Sequence, residues 1–302
     1  MATIQNFQQM THHLKARTNR IRIAVVCGSD DSTLQAVERA LHEGFAKVVF
    51  VGNTEQIKQS EPLRPYNDFI SYEAADDHAD AAQKAVALIR DGKADILMKG
   101  LISTDVLLRA ILNKENGLLP TGNVLTHISV AQIPQREQLL FFTDAAVIPY
   151  PTPEQRAAQI GYAVKMCHAF GIEEPRVSLL HCSEHVSDKF PHTVGYQALK
   201  EMAAQGKWGN AIVDGPLDLR TSIDPVALEH KGINSPLEGR ADVLIFPDIE
   251  SGNVFYKTIT FLAHADVAGT LQGTICPVVL PSRGDSGIDK YYSLAFAAMA
   301  VE

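Results

Sequence analysis

Short apolar runs alternate with amphipathic stretches along nearly the whole chain, and this alternation constrains the fold more than any other feature. Residues 21–27, 47–51, 69–72 and 95–98 read as strands. Helical stretches over 32–43, with Asp31 or Ser32 as N-cap, over 75–91, and over 105–113, with Ser103 or Thr104 as cap, separate and follow them. A βαβα order of this kind demands a mostly parallel sheet with helices on both faces, because parallel neighbours need long crossovers. The rhythm changes near residue 120. There a turn-rich segment leads into two strand-like runs, 124–133 and 138–142, with no helix between them, which predicts an antiparallel hairpin. Alternation then resumes. Helices are expected over 153–170, 193–205, 224–230, 252–264 and 286–300, with strands over 176–180, 211–213, 242–246, 266–271 and 277–280.

At 302 residues the chain has room for two α/β domains. Its formal charge of −8 excludes a sequence-independent nucleic-acid binder, which needs a basic surface. The four cysteines are scattered without a CxxC pair, so they read as reduced thiols of a cytoplasmic protein. Residues 1–20 are polar and lack the apolar core of a secretory signal. No apolar run is long enough to span a bilayer.

Ligands of open α/β sheets bind at the carboxyl ends of the strands. Those ends carry Cys27-Gly28-Ser29-Asp30, Lys99-Gly100, Thr143-Asp144, His181 to His185, Asp214-Gly215-Pro216, Asp248 to Asn253, and Ser282 to Ser286. Loop chemistry accounts for any one of them, since caps and turns use Gly, Ser and Asp. Seven together point to a polar crevice. Arg109 sits in a helix that is apolar nearly all round, which predicts burial. It would then serve as a structural ion pair, lie along the surface by its stem, or clamp a phosphate or carboxylate. Ser282-Arg283-Gly284-Asp285-Ser286 joins a strand to a helix N-terminus, a ready anion site. Asp289 stands three residues after Ser286, the spacing of a capping box. His181-x3-His185, with Cys182, Glu184 and His192 nearby, suggests zinc, but Pro191 and the preceding strand favour a loop or substrate contact. No metal site is expected, and the ATP-loop and dinucleotide glycine motifs are absent.

Seven motifs stand in one order: Ala94-Asp-Ile-Leu-Met-Lys-Gly100, Leu107-Leu-Arg-Ala-Ile-Leu-Asn-Lys114, Phe142-Thr-Asp-Ala-Ala146, Ile212-Val-Asp-Gly-Pro-Leu217, Pro247-Asp-Ile-Glu-Ser-Gly-Asn253, Tyr256-Lys257 and Ser282-Arg-Gly-Asp-Ser286. Together they resemble the phosphate acetyl/butyryltransferase family, most closely its butyryl branch, from about residue 20 to the end. The resemblance implies acyl-CoA + phosphate ⇌ acyl phosphate + CoA, with no permanently bound cofactor. It implies two α/β domains of parallel or mixed sheet, like those of isocitrate/isopropylmalate dehydrogenases, with the active site in the interdomain cleft and a homodimeric or larger assembly. The C-terminal segment would return to the first domain, giving residues 1–120 with 270–302 and residues 121–269. Catalytic roles fall on Ser282, Arg283 and Asp289, and phosphate or CoA contacts on Arg109, Lys99, Gly100, Asp144, Asp214, Lys257 and Gly284. Ala145 stands where acetyltransferases often carry Cys, which takes weight from an acetyl assignment. A dehydrogenase using NAD and a metal held by Asp214, Asp248 and Glu250 is the competing enzyme. A non-catalytic acyl-CoA-binding protein is the competing non-enzyme.

Overall fold

The structure is a computed structural model that describes residues 2–282 and 284–301; Arg283 lies outside the described residues. The chain divides into two compact units, Phe7–Leu125 with Val267–Glu302 and Met1–Asn6 with Thr126–Asp266.

The first unit opens with α1 (Phe7–Lys15), then β1 (Ile21–Val26), α2 (Asp31–His42), β2 (Ala46–Gly52), the single turn α3 (Glu55–Lys58), 3₁₀ turns over Glu61–Phe69, β3 (Ile70–Ala74), α4 (His78–Arg90), β4 (Ile96–Lys99) and α5 (Thr104–Ile111). Its strands run β3-β2-β1-β4, all parallel. Every side chain of β4 is buried, as expected of a strand covered on both faces. The opening stretch reads as polar, yet Phe7, Met10, Thr11 and Leu14 form a buried stripe at helical spacing on α1. The cap of α2 is Asp30, whose carboxylate accepts from the Thr33 N–H at 3.0 Å, rather than Asp31 or Ser32. Helix α4 starts at His78 instead of 75, because β3 runs on to Ala74 and Asp77 supplies the cap.

The second unit carries the hairpin β5 (Thr126–Gln132) and β6 (Leu140–Thr143), which is antiparallel. Then come α6 (Pro153–Ala169), β7 (Arg176–Leu180), α7 (Pro191–Ala204), β8 (Ile212–Leu217), α8 (Leu219–Ile223), α9 (Pro225–His230), β9 (Val243–Ile245) and α10 (Ile249–Leu262). From β6 onward the order is β6-β9-β7-β8, all parallel. The segment before Phe7 belongs here rather than with the first unit. Ile4 N–H donates to Phe170 O at 2.9 Å, and the Thr3 hydroxyl to Gly171 O at 3.1 Å. Strand β8 runs past residue 213, so Asp214 lies inside a strand and not beyond its end.

The chain then returns to the first unit through β10 (Asp266–Gln272), β11 (Val278–Val279) and α11 (Gly287–Met299). Strand β11 adds to β4 in parallel, and β10 is antiparallel to β11. Residues Leu294 to Met299 of α11 are all buried, and this helix packs against α2 and α1. No described helix is long and apolar enough to cross a membrane.

Candidate active site

In the first unit, β1 and β4 exit side by side. Gly100 N–H donates to Val26 O and Leu101 N–H to Cys27 O, both at 2.8 Å. A methyl group on Gly100 would meet Cys27 O at 2.3 Å and Gly28 Cα at 2.6 Å. The Met-Lys-Gly motif therefore needs glycine for backbone contact. Lys99 is buried, and its ammonium donates to Gly100 O at 3.2 Å.

The segment between β11 and α11 folds back on itself. Ser282 N–H donates to Asp285 Oδ2 at 2.7 Å, and Asp285 N–H to Ser282 O at 3.2 Å. Ser282 and Gly284 are exposed. Ser286 and Asp289 form a full capping box. Asp289 N–H donates to Ser286 Oγ, while the Ser286 N–H and hydroxyl both donate to Asp289 Oδ2, at 3.0 and 2.6 Å. Asp289 is therefore a helix cap through one oxygen. Its other oxygen, Oδ1, has no hydrogen-bond donor among the described residues.

Two buried ammonium groups act on this turn. Lys290, 4% exposed, donates to Asp30 Oδ1 at 2.8 Å and to Thr33 Oγ1 at 3.1 Å. Burial and the Asp289 carboxylate push the Asp285 carboxyl above its ordinary range, against the Ser282 N–H, Lys290 and Lys99, which pull it down. The structure thus gathers Lys99, Gly100, Ser282, Gly284 and Asp289 at the carboxyl ends of β4 and β11. Asp30 and Asp285, from two of the polar strand ends, join them, and so does Lys290, which the sequence reading did not single out. The sequence signal for Lys290 is a lone lysine in the apolar run of α11, the same kind of signal as Arg109 in α5.

Arg109 departs from expectation: it is exposed. The short helix α5 buries a single stripe, Leu107 and Ile111, and turns Arg109 outward. Among the described residues no carboxylate pairs with it. It lines a groove of about 550 Å³ between α4 and α5 with Val86, Arg90, Val106 and Asn113. Lys99, Gly100, Ser282, Gly284 and Asp289 are not in that lining.

The remaining candidates belong to the second unit and share no partner among the described residues. The buried Asp144 carboxylate accepts from the Thr126 hydroxyl at 2.7 Å and from the N–H groups of His127, Ala146, Val147 and Ile148. It holds the loop after β6 and has little capacity left for a ligand. Gly252 explains its motif in turn, since a methyl there would meet Asp144 O at 2.2 Å, and Asn253 donates to Ala145 O at 3.1 Å. Asp214 is buried between Lys200 (2.6 Å) and the Ser235 hydroxyl (2.6 Å). Lys257 is exposed on α10.

The carboxylates considered for a metal have other tasks. Asp248 caps α10, and Glu250 accepts from the Tyr150 hydroxyl at 2.8 Å. His181 faces His192 rather than His185, with 3.1 Å between His181 Nδ1 and His192 Nε2. Among the described residues no three His, Cys, Asp or Glu side chains are placed to hold a metal.

Residues 67–298 match the family model described as phosphate acetyl/butaryl transferase. The phosphate butyryltransferase of Clostridium acetobutylicum is 37% identical over 98% of both chains. The phosphate acetyltransferase of Thermotoga maritima is 36% identical, over 94% of this chain and 96% of its own. The crystal structure of a branched-chain phosphotransacylase from Enterococcus faecalis matches with a TM-score of 0.83 at 32% identity, covering 93% of this chain and 99% of that one. Of the readings weighed on the sequence, the transferase therefore holds over the dehydrogenase and the non-catalytic binder. With a family match over most of its length and such relatives end to end, the chain belongs to the phosphate acetyl/butaryl transferase family and is an acyltransferase.

Proposed function

We propose that the chain transfers a short acyl group, butyryl foremost, between coenzyme A and inorganic phosphate. One observation carries the reading. The exposed Ser282 and the half-open Asp289 carboxylate flank the start of α11 beside the buried ammonium groups of Lys99 and Lys290, on a chain 37% identical to a phosphate butyryltransferase.

In the forward direction a phosphate oxygen attacks the thioester carbonyl carbon, the C–S bond breaks, and coenzyme A leaves as the thiol. Arg283 and Arg109, which has no carboxylate partner among the described residues, hold the phosphate dianion for attack, an orientation effect. The Ser282 hydroxyl, with backbone N–H groups at Gly284 and the helix start, meets the developing oxyanion. In reverse, Asp289 Oδ1 accepts the thiol proton while Oδ2 keeps the cap. A carboxylate and a thiol differ by about 4–5 pK units. The transfer therefore requires Arg283 to stabilise the emerging thiolate. Lys257, exposed, is assigned to the phosphates of coenzyme A, and Asp144 and Asp214 to shaping the loops of their unit. Both substrates meet in one ternary complex, with no resident cofactor. A cytosolic setting supplies both and keeps the thiols reduced.

The test is phosphate-dependent release of free thiol from butyryl-, propionyl-, acetyl- and branched-chain acyl-CoA. Fastest release from butyryl-CoA supports the reading. A preference for acetyl-CoA overturns the butyryl assignment. A preference for a branched chain also overturns it, in favour of a specificity like that of the branched-chain phosphotransacylase of Enterococcus faecalis. No phosphate-dependent release from any of them overturns the reaction.

A further inference from the structure

The loop after β7 carries a thiol and an imidazole, and the first turn of α7 a second imidazole, that the acyl transfer above does not use. Cys182 is exposed, and its sulfur lies 3.6 Å from His181 Nε2. The other nitrogen of His181, Nδ1, is 3.1 Å from Nε2 of His192, on the first turn of α7. These rings are held in place. His181 N–H donates to Leu217 O at 2.8 Å, and Phe190 packs edge-on against the His181 ring with centroids 4.6 Å apart. His192 packs on Tyr196, whose hydroxyl is fixed by Leu180 O at 2.8 Å. The other three thiols are covered: Cys167 and Cys276 are buried, and Cys27 is part-buried.

A hydrogen bond between His181 Nδ1 and His192 Nε2 takes one proton, which either ring can hold. When His181 holds it, His181 Nε2 presents a lone pair to the Cys182 thiol. Both imidazoles stay neutral near pH 7, as this requires. Burial lowers His181, and burial, Arg156 and His181 bring His192 down to about 4 against the pull of Asp248. The order nucleophile, base, orienting group is that of an activated thiol.

We propose that Cys182 is a self-acylation site, with His181 as its base and His192 as the positioning residue, and that the donor is an acyl phosphate. This rests on the transferase reading, which makes acyl phosphate the protein's own product. In the step, the Cys182 proton passes to His181 Nε2 and the sulfur attacks the acyl carbon. The bond from carbon to the phosphate oxygen breaks, and the leaving phosphate takes the proton from His181. The sum is acyl phosphate plus thiol giving thioester plus hydrogen phosphate, with no oxidation or reduction. Phe190, 43% exposed beside His181, offers the acyl chain an apolar surface.

The experiment incubates the full chain with butyryl phosphate without coenzyme A, or with butyryl-CoA without phosphate, and maps acylated peptides by mass spectrometry. One hydroxylamine-labile acyl group on Cys182 from butyryl phosphate is expected, and none in Cys182→Ser. His181→Ala should label about 100-fold more slowly, the scale of a lost general base. Added imidazole should restore that rate, which a merely structural role would not allow. His192→Ala should slow labelling and shift its pH profile. Wild-type labelling in His181→Ala, or no acyl group on Cys182, overturns the proposal, and labelling from butyryl-CoA alone overturns the donor. Coenzyme A-dependent consumption of butyryl phosphate, measured on the same sample, keeps the two readings apart. Turnover without labelling sinks self-acylation only, and labelling without turnover sinks the transferase only.

Discussion

Lys290, the residue after Asp289, sends its ammonium 2.8 Å to Asp30 at the start of α2, with 4% and 16% of the two side chains exposed. This pair ties the first turn of α11 to the loop after β1, so it fixes where the Ser282–Asp289 turn stands. Burial alone would raise the Asp30 carboxyl; hydrogen bonds from Lys290, Thr33 and Ser32 outweigh it and bring it down to about 2. A carboxyl depressed in the folded state stabilises above its unfolded pKa and loses that stability as pH falls through the folded one. The contribution is about 2 kcal/mol, present above roughly pH 4 and gone near pH 2. Asp30→Asn should therefore flatten urea-measured stability over that window. Lys290→Met should cost about 3 kcal/mol at pH 7 by stranding a largely covered carboxylate. The double variant should recover a good part of that loss. If Lys290→Met melts like the wild type, the pair does not anchor the turn.

Asp289 can be tested in both roles at once. Asparagine keeps an oxygen to accept from Ser286, whereas alanine removes the box. Asp289→Ala should lose about 1 kcal/mol of stability, the usual value of a lost cap, and Asp289→Asn much less. Both should lose about 10²–10⁴-fold in kcat if Oδ1 takes the thiol proton. Near-normal turnover of Asp289→Asn would leave the residue as a cap only. Arg283→Ala should lose most of kcat with the fold intact.

How far the sequence could be read shows in these two residues and in Arg109. Element order and the antiparallel hairpin follow from periodicity, which local chemistry sets, whereas the return of the C-terminal segment is implied only by the family resemblance. The capping box at Ser286 and Asp289 was legible for the same reason. The burial of Arg109 was misread, because an apolar helix reveals how many faces could be covered but not how many are. Asp144 and Asp214 look like ligand contacts in one dimension. Their partners lie as far away in sequence as Thr126 and Ser235, so only the fold reveals that they are already occupied.

Arg109 has no carboxylate partner among the described residues, so its removal should leave the fold alone. Arg109→Ala should stay within about 0.5 kcal/mol of wild-type stability, as surface changes do. If the guanidinium holds phosphate, KM for phosphate should rise with little change in KM for acyl-CoA. An unchanged phosphate KM would remove Arg109 from the anion site.

Asp144 should behave in the opposite way. Replacing it with alanine leaves four backbone N–H groups and a hydroxyl without their acceptor. Each buried group left unsatisfied costs about 1–3 kcal/mol. Asp144→Ala should therefore lose cooperative unfolding, or several degrees of Tm, before any kinetic effect can be read. A stable, inactive Asp144→Ala would instead indicate direct contact with substrate.

The last prediction concerns assembly. On α10, Val254, Phe261 and Leu262 are 64%, 78% and 70% exposed, and with Thr258 they fall at helical spacing on one face, around a hollow of about 540 Å³. Lys257 and Thr258 line the same hollow, but the apolar part of this helix face is costly to leave in water, at about 25 cal/mol for each Å². A homodimer joined through this face would cover it with a copy of itself, as a two-fold interface does. Light scattering of the wild type should then give twice the chain mass. Phe261→Asp, which would bury a charge at the centre of that face, should give single chains with an unchanged circular dichroism spectrum. A wild type that already runs as a monomer, or a Phe261→Asp variant that stays paired, would take the interface away from α10.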